Sequence, residues 1–82
     1  SLYRQREDWA ALARALSIAA EHVTDADKVL AFAREAAELF RERLHEPEKA
    51  VPVLEKAVAL VPDDRDLRRM LAEGLRVAAR FD

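Results

Sequence analysis

EPEKAVPVLEKAVALVPDD (residues 46–64) holds all three prolines of the chain and still reads as a helix. Ala50, Val53, Leu54, Ala57, Val58, Leu60 and Val61 recur at the three- and four-residue steps of one apolar helix face. Pro47 stands where that helix would begin, and the first helical position tolerates proline because its N–H has no intrahelical partner. Pro62 follows Val61 and stops the helix, because the residue before a proline avoids helical angles. Pro52 falls on about the sixth helical residue, opposite the apolar face. The expectation is a helix kinked and bowed toward solvent. An interior proline costs about 3 kcal/mol, so its replacement by alanine would stabilise the chain by about 1–3 kcal/mol.

The segments on either side carry the same periodicity. Upstream, Trp9, Leu12, Ala13, Leu16, Ala20 and Val23 form one stripe, and Ala11, Ala15 and Ile18 a second. That first helix has Asp8 as a candidate cap. Thr24 with Asp27 has the spacing of a capping box, opening a helix over about residues 25–44. Its inner face is Val29, Leu30, Ala33, Ala36, Ala37, Phe40 and Leu44. Downstream of Pro62, Asp63 or Asp64 caps a last helix reaching about Arg80. Leu67, Leu71, Leu75 and Ala78 form one of its stripes, and Met70, Gly74, Val77 and Phe81 the other.

Composition narrows the function classes. The chain has 82 residues, a formal charge of −2, one glycine and no cysteine. One small helical domain fits that length and composition. A general nucleic-acid binder would carry a basic excess. Without cysteine there is no disulfide framework, thiolate metal site or thiol nucleophile. No apolar run approaches a membrane span. Nothing in the sequence assigns a compartment, and the cytoplasm is the default expectation.

Ala50, Leu54, Ala57 and Pro62 have the spacing A-x3-L-x2-A-x4-P, which resembles the second half of a tetratricopeptide repeat. Ala33, Ala36, Ala37 and Phe40 are similar to its first half, with alanine in place of large residues and one extra residue before Pro47. Arg68, Leu71, Ala72 and Leu75 look like the next first half. Trp9, Leu12, Leu16 and Ala19 resemble a preceding second half, and LYRQRED (residues 2–8) the tail of a still earlier first half. The resemblance implies an all-α, right-handed stack of about four antiparallel helices, a fragment of an α-solenoid. Residues 24–64 would be one complete repeat, 1–23 a closing half-repeat and 65–82 an opening one. It also implies a non-catalytic protein–protein interaction scaffold. The alternative is a self-assembling structural or oligomerisation module, or a designed helical bundle.

Two surfaces are candidate sites. Arg34, Glu38 and Arg41 match Arg69, Glu73 and Arg76 as R-x3-E-x2-R, twice, on equivalent helices. The resemblance places such positions along a concave peptide groove, where guanidinium pairs would suit an acidic partner. A solvated face laced by intrahelical ion pairs accounts for the same pattern. Met70, Gly74, Val77 and Phe81 would be the stripe that a following helix covers, with Gly74 allowing close approach. With Leu2 and Tyr3 at the other end, it leads to the expectation of a two-fold homodimer. No cofactor, catalytic or metal-binding residue is assigned. His22 and His45 lie in or near turns without ligand spacing, and neither Ser1, Ser17 nor Thr24 has a general base in register.

Overall fold

The computed structural model describes residues 2–80, with Tyr3 as backbone only. Four α-helices follow one another among them: α1 (Leu2–His22), α2 (Ala26–Glu38), α3 (Val51–Leu60) and α4 (Arg65–Ala79). Each packs on the next, and α1 also touches α3. Long-range hydrogen bonds fix the directions. Arg6, near the start of α1, donates to the Leu44 carbonyl at 3.1 Å, beyond the end of α2. Lys56 of α3 donates to the Ala20 and Glu21 carbonyls at 2.8 and 2.9 Å, satisfying the end of α1. Thus α1 runs antiparallel to α2 and alongside α3.

The core is made largely of small residues. Ala13, Ala20, Ala33, Ala36, Ala37, Ala50 and Ala57 are buried, with Val29, Phe40, Leu44, Val53, Leu54 and Leu67 filling the spaces between them. Alanine lets helix axes approach closely. Trp9 is half-buried against this core, with the Arg43 guanidinium 5.1 Å from its ring centroid.

Three helix boundaries differ from the sequence reading. Residues 2–8 continue α1 without a turn, so Asp8 is not a cap and LYRQRED is not the tail of a separate helix. Asp25, not Thr24, caps α2, accepting from the Asp27 amide at 2.9 Å. The extra residue before Pro47 is absorbed where α2 widens into a π-turn over Leu39–Arg43. The Leu44 amide donates to the Leu39 carbonyl, and the Glu46 amide donates to Phe40. His45, at φ 55°, reverses the chain as a left-handed helix stop. Ala33, Ala36, Ala37 and Phe40 all stay buried on one face despite the insertion.

Pro52 is the fourth correction. A 3₁₀ turn over Pro47–Ala50 precedes α3, which places Pro52 in the first α-turn rather than in mid-helix. The Glu48 carbonyl, which an α-helical Pro52 N–H would have served, accepts from the Val51 amide instead. The proline therefore deprives no carbonyl of its donor, and it restricts the unfolded chain. Pro52→Ala is expected to change stability by less than about 1 kcal/mol, measured by urea unfolding. A gain of about 2–3 kcal/mol would restore the mid-helix reading.

Candidate functional site

The first turn of α4 is anchored by Asp64. Its carboxylate accepts from the Leu67 amide at 3.0 Å and is ion-paired with Arg34 of α2. Further along, Arg41 Nε lies 3.3 Å from Glu73 Oε1. These two pairs run α4 alongside α2, so that the two helices share one face of the stack. A shallow depression of about 130 Å³ opens there, lined by Arg41, Arg69, Met70, Glu73 and Arg76. Three guanidiniums face one carboxylate within it. Arg69 also reaches Asp66 at 3.2 Å, while Arg76 has no ion pair among the described residues. The depression can hold a ligand carboxylate through paired N–H donors.

Four of the six residues in the repeated R-x3-E-x2-R pattern thus meet. Arg34 is on the same side but is engaged with Asp64. Glu38 lines a different depression, of about 260 Å³, with Trp9, Leu12, Glu35, Leu39, Glu42 and Arg43. The π-turn unwinds the helix between Glu38 and Arg41 and carries them apart.

The second predicted surface is corrected. Gly74 is buried, and a β-carbon on it would stand 2.9 Å from both the Pro47 carbonyl oxygen and Val51 Cγ2. Its close approach is to the start of the third helix of its own chain. Met70 is half-buried against the same core, and Val77 is half-buried; Phe81 lies outside the described residues. The open flank of α4 instead carries Leu75, Ala72 and Ala79, with Arg68. The helical repeat alone could not tell which of two stripes meets a neighbour. Leu2 is exposed.

Sequence reasoning missed Arg6, Lys56 and the Arg43–Trp9 contact, because a long side chain reaching another helix leaves no mark in local spacing. No described helix is long and apolar enough to cross a membrane. Among the described residues, no three His, Cys, Asp or Glu side chains group as a metal site.

Asp64 is held below the usual carboxylate range. The Leu67 amide is the largest cause; partial desolvation opposes it, and Arg34 and the Asp66 amide add to the lowering. A depressed folded-state pKa stabilises above the unfolded value and is lost as pH falls through the folded one. Asp64→Ala is therefore expected to lower the melting temperature at neutral pH. Asp64→Asn keeps a cap acceptor but loses the charge, so its deficit relative to wild type should shrink below about pH 4. Thermal unfolding at neutral and acid pH checks both, and a pH-independent deficit would contradict the assignment.

Residues 30–74, more than half of the chain, match the family model described as tetratricopeptide repeat, and the chain belongs to that family. Repeats of this family are protein-interaction modules and generally non-catalytic. No curated protein and no solved structure matches the chain.

Proposed function

We propose that this chain is a non-catalytic protein–protein interaction scaffold that takes an acidic peptide on the face shared by α2 and α4. The observation that carries the reading is the depression where Arg41, Arg69 and Arg76 face the single carboxylate of Glu73. A ligand carboxylate would meet Arg76, which has no ion pair among the described residues, and would compete with Glu73 for Arg41. The reading takes residues 24–64 as one complete repeat, flanked by a closing half at 1–23 and an opening half at 65–82. On that division α2 and α4 are equivalent first helices, which supports a common binding face.

The test is fluorescence anisotropy with a labelled Asp/Glu-rich peptide ending in a free carboxylate. Affinity should fall as salt rises. Charge-assisted hydrogen bonds contribute about 1.5–3 kcal/mol, so an Arg41→Ala, Arg76→Ala variant should bind at least about tenfold more weakly. Arg68→Ala, on the other flank of α4, should bind as wild type does. Equal binding by the double variant would leave the arginines as a solvated, ion-paired surface.

A further inference from the structure

A larger groove separates α1 from the start of α3 and shares no residue with the arginine depression. Its volume is about 470 Å³, the size of a small-molecule site. Phe40 and Leu44, both buried, form its floor, and Ala10, Ile18 and Pro52 stand along its walls. Phe40 belongs to the π-turn and Leu44 ends it, so the extra residue in α2 shapes this floor. The helices on either side are tied at both ends. Arg6 donates to the Leu44 carbonyl and to Glu46 at one end, and Lys56 to the Ala20 and Glu21 carbonyls at the other. The groove is therefore formed before a ligand arrives, which lowers the cost of binding.

We propose that this groove binds a small aliphatic carboxylate, with its hydrocarbon body against Ile18, Phe40 and Leu44 and its head at Arg14 and Lys49. The charges select the sign of the head. Four charged side chains line the groove: Arg14, Glu46, Glu48 and Lys49. Both oxygens of Glu46 are already engaged, one by Arg6 at 3.2 Å and the other by Lys49 at 2.9 Å. Arg14 and Glu48 have no ion-pair partner among the described residues. Arg14 thus keeps all its donors, and Lys49 has three of which Glu46 takes one. Two cations with donors to spare outweigh the one carboxylate, Glu48, that repels an anion. The interior selects the body. The Ser17 hydroxyl donates to the Ala13 carbonyl at 2.9 Å, and no buried side-chain polar atom among the described residues lacks a partner. A peptide backbone laid on Phe40 and Leu44 would lose water from its amides without new partners there, whereas a hydrocarbon chain gains from the same burial.

Titration of the isotope-labelled chain with octanoate, read by amide NMR shifts, tests the proposal. The amides of Arg14, Ile18, Leu44 and Glu48 should shift and saturate with a millimolar or tighter dissociation constant. Acetate, which has the head without the body, and octylammonium, which has the body with the opposite charge, should leave them in place. Arg14→Ala should weaken octanoate about fivefold, as expected for an exposed ion pair. Glu48→Gln should tighten it about twofold, because it removes the repelling charge. Ile18→Glu, at a 56% exposed position, should abolish it, and circular dichroism checks that the variant keeps its helices. Arg41→Ala with Arg76→Ala should leave the groove's response unchanged, which separates this site from the acidic-peptide face. Absence of saturable shifts at Arg14 and Ile18 overturns the proposal. Equal binding of octylammonium, or of octanoate by Arg14→Ala, overturns it as well, since the groove would then be an apolar surface that reads no head group. A response that survives Ile18→Glu, or that disappears in the Arg41, Arg76 variant, places octanoate elsewhere and overturns it too.

Discussion

Gly74→Val is expected to leave the chain largely unfolded, and Gly74→Ala to lower its stability by about 1 kcal/mol. In an exposed helix the alanine would be favourable by about 1 kcal/mol, because glycine loses more backbone entropy on folding. Here the sign reverses. A β-carbon at position 74 would stand 2.9 Å from the Pro47 carbonyl oxygen and from Val51 Cγ2. The carbonyl belongs to the 3₁₀ turn that starts the third helix, so it can yield only if that helix and α4 separate. Overpacking of this kind costs about 1–3 kcal/mol for one extra carbon, which outweighs the propensity gain. Valine adds two more methyl groups and a β-branch at the same point. A domain of this size has a total stability of about 4–12 kcal/mol, so the larger substitution takes most of it. Urea unfolding followed by far-UV circular dichroism measures both. Separation of α4 from α3 would also disturb the 3.3 Å Arg41–Glu73 pair, so Gly74→Ala should weaken acidic-peptide binding in step with stability. A Gly74→Ala variant more stable than wild type would show that α4 shifts without penalty.

Much of the fold was legible because helical repeats write their contacts locally. Ala50, Leu54 and Ala57 are buried at the spacing that named the family, and Pro47 and Pro62 bracket the helix as their backbone chemistry requires. What the spacing could not show is how the chain accommodates a misfit. One extra residue before Pro47 was visible, but whether it would bulge, loop out or break the helix depends on where Phe40 and Leu44 find room. The π-turn is the arrangement that keeps both buried. The same turn explains why Arg41 joins Glu73 while Glu38, on the same ideal helix face, does not. Pro52 differs for a related reason: periodicity predicts an α-helix from Pro47, whereas its first turn is 3₁₀. Gly74 sits on one of two apolar stripes of α4, and only the packed structure shows that its stripe meets the start of the third helix. Local periodicity thus identified the helices and most of their buried faces, while the register between helices, which sets the arginine depression, came from packing.

Leu54→Ala should destabilise the chain by about 3–5 kcal/mol, in the upper part of the range for large-to-small core substitutions. Leu54 is 1% exposed and belongs to the central core cluster. With Ala37, Ala50 and Met70 it lines a void of only about 10 Å³, so the space around it is already filled. Part of the loss is the transfer of the removed methyl groups, and the rest depends on how far the walls collapse into the cavity. Alanines have no rotamers with which to collapse. Met70 is the exception, since an unbranched thioether can swing into a gap. If it does, the loss falls toward 3 kcal/mol; if it does not, the loss approaches 5 kcal/mol. Leu54→Met keeps the volume and should cost less than about 1.5 kcal/mol. Adding Met70→Ala to Leu54→Ala separates the cases. When methionine refills the cavity, the double variant loses more than the sum of the singles; when it does not, the losses add. A Leu54→Ala loss below about 1 kcal/mol, with additivity, would mean that Leu54 does not bridge α2 to α4. The Arg41–Glu73 alignment would then rest on the ion pairs alone.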